Sequence, residues 1–517
     1  MSQFIILDFG SQSTHLIQRR LQDLGYTSEI LPTNTTATDI VAKNPNAIIF
    51  SGSPSSVYET KAPNYDINIL KLPLPKLGIC YGFQCTIHNL GGKVEASLIR
   101  EYGKCSVSII HEDPLFKDID KDFITWMSHG DSITKLPETF TLIAESHAHP
   151  AAAYCKEFNF WGLQFHPELA HSQKGSVILN NFAKYICNLT PEGISIEDTF
   201  QNISYSIKKQ VQDNTVLLLV SGGVDSSVAA AVLLKTLNPE KIHLMYIDTG
   251  LMRKNETDEI RHILQQLNAK YIHIIDAKTR FFDALKDINN PESKRHIIGD
   301  LFVTVTMDEV KKIGLPKDFY LAQGTLYTDL IESGKGVGTK ANTIKSHHNV
   351  NSPLIVEKRE SGKLVEPLKE LYKDNARSLG LHLGLPETLI FRHPFPGPGL
   401  GVRILGAVDA DKCRILQNSD AIYIEELHKR GLYSKIWQAF TVFLPIKSVG
   451  VAGDIRKYGY TIALRAVCSV DGVSADIYEF KMKDLREISS RITNEVPEIA
   501  RVVYDISSKP PATIEWE

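Results

Sequence analysis

Two strand–turn–helix junctions constrain the fold of this chain more than any other feature of its sequence. In the first, an apolar run at 77–80 ends in a glycine-flanked turn before a helical pattern. In the second, an apolar run at 215–220 ends in Ser221-Gly222-Gly223 before a helical pattern at 226–236. Short buried strands that alternate with helices are typical of parallel α/β sheets. The sequence therefore predicts two doubly wound α/β domains.

The segments around each junction extend this pattern. Around the first we predict a helix at 14–24 and strands at 4–9, 47–50, 104–110 and 160–164. Around the second we predict a helix at 256–267 and strands at 243–247 and 271–275. A polar joint at 188–193, Asn-Leu-Thr-Pro-Glu-Gly, is typical of a linker between domains.

A third domain follows a proline-rich segment. Residues 393–399 read His-Pro-Phe-Pro-Gly-Pro-Gly, and their prolines exclude a regular helix or a central strand. The remaining chain mixes a strand pattern at 460–467 with a helix pattern at 484–493, which predicts a smaller α+β domain. We therefore predict domain bounds of 3–193, 194–392 and 393–517.

Charge and cysteine content narrow the class of protein. The 517 residues carry a formal net charge of −3, which argues against a general role in binding nucleic acid or membrane surfaces. We find neither a secretion signal nor an apolar run of about 18 residues that could span a membrane. The seven cysteines fit neither a disulfide framework nor a zinc site. We expect a cytoplasmic protein.

One cysteine stands at the first junction. Gly78-Ile79-Cys80-Tyr81-Gly82 is the cysteine form of a nucleophile elbow, in which glycines allow a sharp turn that exposes the sulfur. The following helix N-terminus favours the thiolate, and the Tyr81 amide is a candidate oxyanion donor. The alternative is a buried structural cysteine.

Two downstream residues can serve that cysteine. In Gln164-Phe165-His166-Pro167-Glu168, His166 is a candidate base and Glu168 can orient it. Gly52, after the strand at 47–50, is a candidate second oxyanion donor. These motifs resemble those of class I glutamine amidotransferases. The resemblance covers about residues 3–187 and assigns the triad to Cys80, His166 and Glu168.

The second junction predicts a phosphate site. Glycines and hydroxyls at a helix N-terminus present N–H donors to anions, and the Gly-Lys-Ser/Thr ending of a Walker loop is missing. The alternative is a glycine turn without a ligand. The run resembles the pyrophosphate loop of the ATP pyrophosphatase superfamily, whose fold is of the adenine nucleotide alpha hydrolase type. The loop is formed by Ser221, Gly222, Gly223, Val224, Asp225, Ser226 and Ser227.

The same resemblance implies further contacts with the nucleotide. Asp248 and Gly250, in Asp248-Thr249-Gly250 after the next strand, resemble an adenosine-contacting turn. Asp225 is the candidate ligand for Mg²⁺, the cofactor that accompanies ATP.

Four further phrases resemble the GMP synthetase family: Ala-Gln-Gly-Thr at 322–325, Ile-Lys-Ser-His-His-Asn at 344–349, the proline-rich segment at 393–399, and the last nine residues at 509–517. Together with the cysteine and phosphate-loop motifs, the resemblance spans the whole chain. The family's substrates are glutamine, ATP and XMP, and its members pair as homodimers through the third domain. XMP needs cationic partners, and the resemblance points to Arg501, Lys509 and Glu515 for it. It points to Asp329, Glu332 and Lys345, near a Gly/Lys-rich stretch at 333–340, for completing the adenylating site.

Two other interpretations stay open from the sequence. A glutamine-dependent NAD synthetase-like ligase shares the ATP loop, although its usual amidohydrolase domain lacks the Cys–His–Glu elbow. A non-catalytic nucleotide-binding protein could keep the same folds. The intact triad positions and the complete loop count against the second alternative.

Overall fold

A computed structural model describes residues 2–11, 13–146, 149–169, 172–193, 195–327, 329, 353–452, 455–469 and 475–517. Residues up to 195 form one compact unit, and the described residues from 196 onward form a second. Glu332, Lys345 and the Gly/Lys-rich stretch at 333–340 lie outside the described residues. In the described part of the chain, no helix is long and apolar enough to cross a membrane.

The first unit is built on one mixed sheet with the strand order β2-β1-β3-β4-β9-β8-β7-β5-β6. Neighbouring strands from β2 to β9 in that order pair in parallel, and the pairs beyond β9 are antiparallel. The strands are β1 (Phe4–Asp8), β2 (Ser28–Pro32), β3 (Ala47–Phe50), β4 (Lys76–Ile79), β5 (Lys93–Ile109), β6 (Asp122–Lys135), β7 (Phe140–Ser146), β8 (His149–Cys155) and β9 (Phe160–Leu163). The helices are α1 (Thr14–Asp23), α2 (Ala37–Lys43), α3 (Tyr81–Asn89) and α4 (Gly175–Asn181), the last continued by a π-helical turn (Phe182–Ile186).

Both faces of the parallel half of this sheet are buried. Phe4 and Ile6 pack into a core with α1 and α4, whereas Ile5 and Leu7 pack into a core with α2 and α3. A strand buried on both faces reads as a continuous apolar run, because successive side chains point to opposite sides. That burial explains why β3 and the first four residues of β1 are all apolar.

The second unit contains an all-parallel sheet with the order β12-β11-β10-β13-β14. Its elements are α5 (Ile196–Val211), β10 (Val216–Leu219), α6 (Val224–Thr236), β11 (Ile242–Asp248), α7 (Glu256–Gln266), β12 (Tyr271–Asp276), α8 (Lys278–Leu285), α9 (Pro291–Ile313), β13 (Tyr320–Ala322), α10 (Pro353–Glu360), β14 (Leu364–Val365), α11 (Lys373–His382) and α12 (Glu387–Ile390). Helix α9 begins after Asn290, whose side chain accepts from the Ser293 amide, and ends at Gly314. Asparagine at the start and glycine at the end are the usual helix caps.

The same unit also contains a smaller mixed sheet. Strand β16 pairs antiparallel with β15 and β17 and parallel with β18. The elements of this part are α13 (Ala410–Lys429), β15 (Gln438–Ala452), β16 (Ile455–Cys468), β17 (Asp476–Ile477), α14 (Met482–Glu495) and β18 (Ile499–Tyr504). The predicted fold class is confirmed: a mixed α/β sheet with a parallel half and an all-parallel α/β sheet are followed by an α+β region. The domain bounds at 193/194 and 392/393 stay predictions.

The α/β and α+β parts of the second unit share one hydrophobic core. Leu217 and Met245 of the parallel sheet belong to the same buried cluster as Ile415 of α13 and Ile488 of α14. The proline-rich segment contributes to this packing through Phe395. Directly after it, the Leu400 amide donates to the Leu251 carbonyl at 2.8 Å. Prolines at 393–399 thus mark a change of architecture within a continuous core.

Buried His393 predicts a pH dependence of stability. Its Nδ1 accepts from the Ala439 amide at 3.1 Å and its Nε2 lies 2.9 Å from the Tyr433 carbonyl, an arrangement that fits the neutral ring. Burial, aided by the charge of Arg253, lowers the pKa of His393 to about 4. The ring of His393 in the unfolded chain titrates near 6.5, so the unfolded state binds the extra proton first. The free energy of unfolding therefore falls as the pH drops from about 6.5 to about 4.

We expect His393→Gln to reduce the loss of unfolding free energy between pH 7 and pH 5 by about 2 kcal/mol, measured by urea denaturation. An unchanged loss in the variant would contradict the assignment.

Candidate active sites

The nucleophile elbow in the first unit has the geometry that its sequence predicts. Cys80 lies between β4 and α3 with φ 51° and ψ −105°, a conformation that costs a non-glycine residue roughly 1–3 kcal/mol. Its amide donates to the Leu163 carbonyl of β9 at 2.7 Å, which holds the turn against the sheet. The sulfur therefore lies at the N-terminus of α3, where the helix dipole favours a thiolate.

The two flanking glycines allow this turn to pack closely. A Cβ on Gly82 would lie 2.5 Å from the Phe50 carbonyl oxygen, and one on Gly78 would lie 2.6 Å from the Phe160 ring. These distances leave no room for a side chain. The glycine spacing of the motif is thus required by the contacts of the elbow with β3 and β9.

A carboxylate–histidine pair lies beside the cysteine. His166 Nδ1 is 2.7 Å from Glu168 Oε1, and Glu168 is fully buried. The same oxygen accepts from the Ser13 hydroxyl at 2.6 Å. Glu168 therefore fixes the tautomer and orientation of the imidazole, and Ser13 fixes Glu168. No local sequence pattern points to Ser13, since it lies 155 residues before its partner.

The electrostatics of the site favour a charged imidazole. Burial on its own lowers the pKa of His166, but the charges of Glu168 and of ionised Cys80, with their hydrogen bonds, raise it well above its ordinary value. His166 can therefore hold the proton that Cys80 releases. A thiolate–imidazolium pair is the reactive state of cysteine nucleophiles.

The two candidate oxyanion donors flank this pair. A Cβ on Gly52 would lie 3.2 Å from His166 Cε1, so the residue lies directly beside the imidazole. Tyr81 occupies the first position of α3, where an N–H has no acceptor within the helix. The Gly82 amide donates to the Ser51 carbonyl at 3.1 Å and ties the two segments together. The roles of Gly52 and Tyr81 stay predictions.

The predicted phosphate loop lies at the carboxyl end of β10. Gly222 has φ +81°, a left-handed conformation that favours glycine, and Gly223 precedes the first turn of α6. Ser226 Oγ accepts from the Ser221 amide at 3.1 Å, and Ser227 Oγ donates to the Gly223 carbonyl at 2.9 Å. The hydroxyls thus shape the loop around the helix N-terminus, where backbone N–H groups favour an anion.

Asp225 faces a cluster of charged side chains above this loop. Burial and the nearby charge of Asp329 raise its pKa, and Lys373, with its Nζ 3.6 Å from Asp225 Oδ2, opposes that shift. The buried Oδ1 has no hydrogen-bond partner among the described residues. Gly324 lies against the loop, since a Cβ there would be 2.8 Å from the Ser226 amide nitrogen. Sequence reasoning missed Lys373, which lies 148 residues after Asp225.

The turn after β11 is closed by its own hydrogen bonds. Asp248 Oδ1 accepts from the Gly250 amide at 3.0 Å, and Oδ2 accepts from the Thr257 hydroxyl at 2.8 Å. Lys278 Nζ lies 3.1 Å from the same carboxylate. Asp248 therefore shapes this turn, and the contact of Asp248 and Gly250 with a nucleotide stays a prediction.

The last residues of the chain are docked. Arg403 donates from Nε and Nη2 to the two carboxylate oxygens of Glu515 at 3.0 and 2.9 Å, and Gln438 donates to Glu515 at 2.8 Å. Lys509 forms a backbone bridge with Ala475. The last residues are therefore not a frayed end.

Arg501 lies elsewhere on the same sheet. It pairs with Thr461 on β16, and its Nε donates to Ser448 at 3.4 Å. Gln438, whose side chain donates to Glu515, is paired with Val467. Val467 lies six residues beyond Thr461, the β16 partner of Arg501. Lys509 and Glu515 thus belong to the same docked segment, whereas Arg501 makes separate contacts. Glu332 and Lys345 lie outside the described residues.

Comparison with known families agrees with this order of sites. The glutamine amidotransferase class-I family model matches residues 5–186, the NAD synthase model matches 196–296, and the GMP synthase C terminal domain model matches 425–516. The NAD synthase match covers the phosphate loop at 221–227, which NAD synthetase-like ligases and the GMP synthetase family share. Together with the two sites, these matches define the chain as a glutamine-dependent, ATP-consuming ligase.

Full-length relatives give the family. The chain is 47% identical to GMP synthase [glutamine-hydrolyzing] of Carboxydothermus hydrogenoformans over all of both chains. It is 48% identical to the enzyme of that name from Thermosipho melanesiensis, again over all of both chains. It is 46% identical to that of Bacillus subtilis over 99% of this chain and 98% of the relative. The chain belongs to the glutamine-hydrolysing GMP synthase family.

Proposed function

We propose that the chain converts XMP to GMP, with glutamine as the nitrogen donor and ATP split to AMP and diphosphate. The observation that carries the proposal is the assembled Cys80–His166–Glu168 triad, in which His166 Nδ1 lies 2.7 Å from Glu168, in a chain that aligns end to end with GMP synthases. This alignment makes an NAD synthetase-like ligase the weaker alternative. The intact triad makes a non-catalytic protein the weaker alternative as well.

The first half-reaction releases ammonia. Cys80 transfers its proton to His166, and the thiolate attacks the amide carbon of glutamine. The amides of Gly52 and Tyr81 hold the developing oxyanion. His166 returns its proton to the leaving nitrogen, so that ammonia departs and a thioester remains. Water, deprotonated by His166, then attacks the thioester and releases glutamate.

The second half-reaction activates XMP. The oxygen on C2 of XMP attacks the α-phosphorus of ATP, and diphosphate leaves. Ammonia then attacks C2, AMP departs with that oxygen, and loss of a proton gives GMP. The 221–227 loop holds the diphosphate portion through its backbone N–H groups, and Lys373 adds a positive charge beside it.

Mg²⁺ fits the residues at this loop. The buried Asp225 Oδ1, which has no partner within the described part of the chain, is a hard oxygen ligand of the type that Mg²⁺ takes. We propose that Asp225, with Asp329 beside it, holds the ion together with the phosphates of ATP. When bound, the ion neutralises phosphate charge that builds up as diphosphate leaves.

The XMP site is proposed to include Lys509 and Glu515. Arg403 is 1% exposed and donates a hydrogen bond to each carboxylate oxygen of Glu515, and its guanidinium lies 4.0 Å from the centre of the Phe440 ring.

We expect Arg403→Met to raise the KM for XMP at least about ten-fold, because the Glu515 carboxylate loses its bidentate partner. Glutamine hydrolysis should be unchanged. Arg414→Met, which removes a surface ion pair with Glu498 in the same part of the chain, should leave the KM for XMP unchanged. An unchanged KM in Arg403→Met would contradict the role of Glu515.

A homodimer is proposed through the outer half of the β15–β16 hairpin. Val449 and Tyr458 are paired across the two strands and are 49% and 64% exposed, and Val451 is 77% exposed. Large apolar side chains exposed on paired strands are typical of an interaction surface. Light scattering should give twice the mass of the chain, and a monomeric mass at working concentration would contradict the proposal.

The location is proposed to be the cytoplasm. All seven cysteines are free thiols. A reducing compartment maintains that state, and the proposed nucleophile Cys80 requires it.

An isotope experiment tests the proposed reaction. With glutamine labelled by ¹⁵N in its amide, and Mg²⁺, ATP and XMP present, the label should appear in the 2-amino group of GMP. With XMP labelled by ¹⁸O on C2, the heavy oxygen should appear in AMP. Heavy oxygen in diphosphate or in water would overturn the adenylation step.

A further inference from the structure

Gln164 is a buried amide that contacts the nucleophile and has no part in the triad. Gln164 is 2% exposed, and its Nε2 lies 3.8 Å from Cys80 Sγ. Its backbone is fixed, since the Gln164 amide donates to the Ala151 carbonyl at 2.8 Å. The polar end of this side chain is therefore held against the sulfur.

The orientation of the amide follows from its neighbours. Gln84 Nε2 lies 2.9 Å from the Asp131 carbonyl oxygen, which can only accept a hydrogen bond. The same NH₂ group lies 3.2 Å from Gln164 Oε1 and donates its second hydrogen there. With its oxygen engaged by Gln84, Gln164 presents its own NH₂ group to Cys80. The hydrogen bonds therefore run in one direction, from Gln84 to Gln164 and from Gln164 to the sulfur of Cys80.

We propose that Gln164 is a fourth catalytic residue of glutamine hydrolysis, one that donates a hydrogen bond to the Cys80 thiolate. Cys80 is 4% exposed, so its negative charge is poorly solvated and needs donors from the protein. His166 supplies the opposite charge, and Gln164 supplies a neutral hydrogen-bond donor to the sulfur until the sulfur attacks the amide carbon. Gln84 is a positioning residue, because it acts on the sulfur through Gln164.

The test is the pH dependence of Cys80 alkylation in the full chain. Iodoacetamide reacts with the thiolate, and peptide mass spectrometry separates Cys80 from the other cysteines. We expect Gln164→Met to raise the pKa that governs Cys80 alkylation by about one unit, which slows alkylation about ten-fold at pH values below that pKa. Gln84→Met should shift the profile in the same direction by less. The proposal rests on Cys80 as the glutaminase nucleophile, but alkylation requires no turnover, so failure of either can be distinguished.

Two further variants keep the test decisive. Gln164→Glu preserves the shape of the side chain and replaces the donor by a carboxylate, so it should raise the governing pKa more than Gln164→Met does. Thr86→Val is the matched control, because it removes a different buried hydrogen bond of α3, from Thr86 Oγ1 to the Gly82 carbonyl at 2.9 Å. It should leave the profile unchanged. A wild-type profile in Gln164→Glu, or an equal shift in Thr86→Val, would overturn the proposal.

Discussion

Replacing Cys80 by alanine is expected to abolish GMP formation from glutamine and to preserve GMP formation from ammonium salts. The first half-reaction depends on a thiolate at the tip of the elbow, and alanine leaves His166 with nothing to activate. Loss of a catalytic nucleophile typically costs about 10⁴-fold or more in rate. The ATP and XMP sites belong to the other compact unit, and added ammonia replaces only the product of the first site.

A second cysteine provides the control for this experiment. Cys85 lies one turn later on α3, and burial raises the pKa of its thiol to about 12. Cys85→Ala should therefore retain most of the glutamine-dependent activity. Both variants are measured with glutamine and with ammonium as donor. Loss of both activities in Cys80→Ala would show that the two sites do not work independently, and retention of glutamine use would exclude Cys80 as the nucleophile.

Replacing Asp225 by asparagine should have the opposite effect. We expect GMP formation from either donor to fall at least about 100-fold, because the amide removes the charge proposed to hold Mg²⁺ against ATP. The substitution keeps the size of the side chain, so the loop around Gly223 should keep its shape. Basal hydrolysis of glutamine to glutamate should persist.

An exposed aspartate supplies the comparison. Asp213 forms an ion pair with Lys241 at 3.5 Å and its side chain is 87% exposed, so Asp213→Asn should behave like the wild type. The measurement is the rate of diphosphate release over a Mg²⁺ titration. Full activity of Asp225→Asn at an unchanged Mg²⁺ requirement would rule out the proposed metal contact.

Local sequence patterns predicted the elements that position both sites. The apolar run before Cys80 and the run before Ser221 are strands β4 and β10, because strands buried on both faces require continuous apolar residues. The helices after each turn follow from the same reasoning. The predicted strand at 104–110 is the end of the longer β5 (Lys93–Ile109). Charged residues at 93, 95, 100 and 101 interrupt the apolar pattern of the preceding part of that strand.

Contacts between distant residues could not be predicted in this way. Ser13 with Glu168, Lys373 with Asp225, and Arg403 with Glu515 each join segments more than 100 residues apart. No local spacing or periodicity specifies such a pair, since only the folded chain brings the partners together. The hydrophobic core shared by the α/β and α+β parts of the second unit was not predicted for the same reason. The prolines at 393–399 indicate only that regular secondary structure is interrupted there, and they do not indicate how the flanking parts pack.

The most direct test of the proposed function is a single assay with glutamine, Mg²⁺-ATP and XMP in which GMP and AMP are followed together. We predict that GMP and AMP form one for one, and only when XMP is present. Diphosphate release without GMP would contradict XMP as the acceptor, and no turnover of either nucleotide would contradict catalysis by this chain.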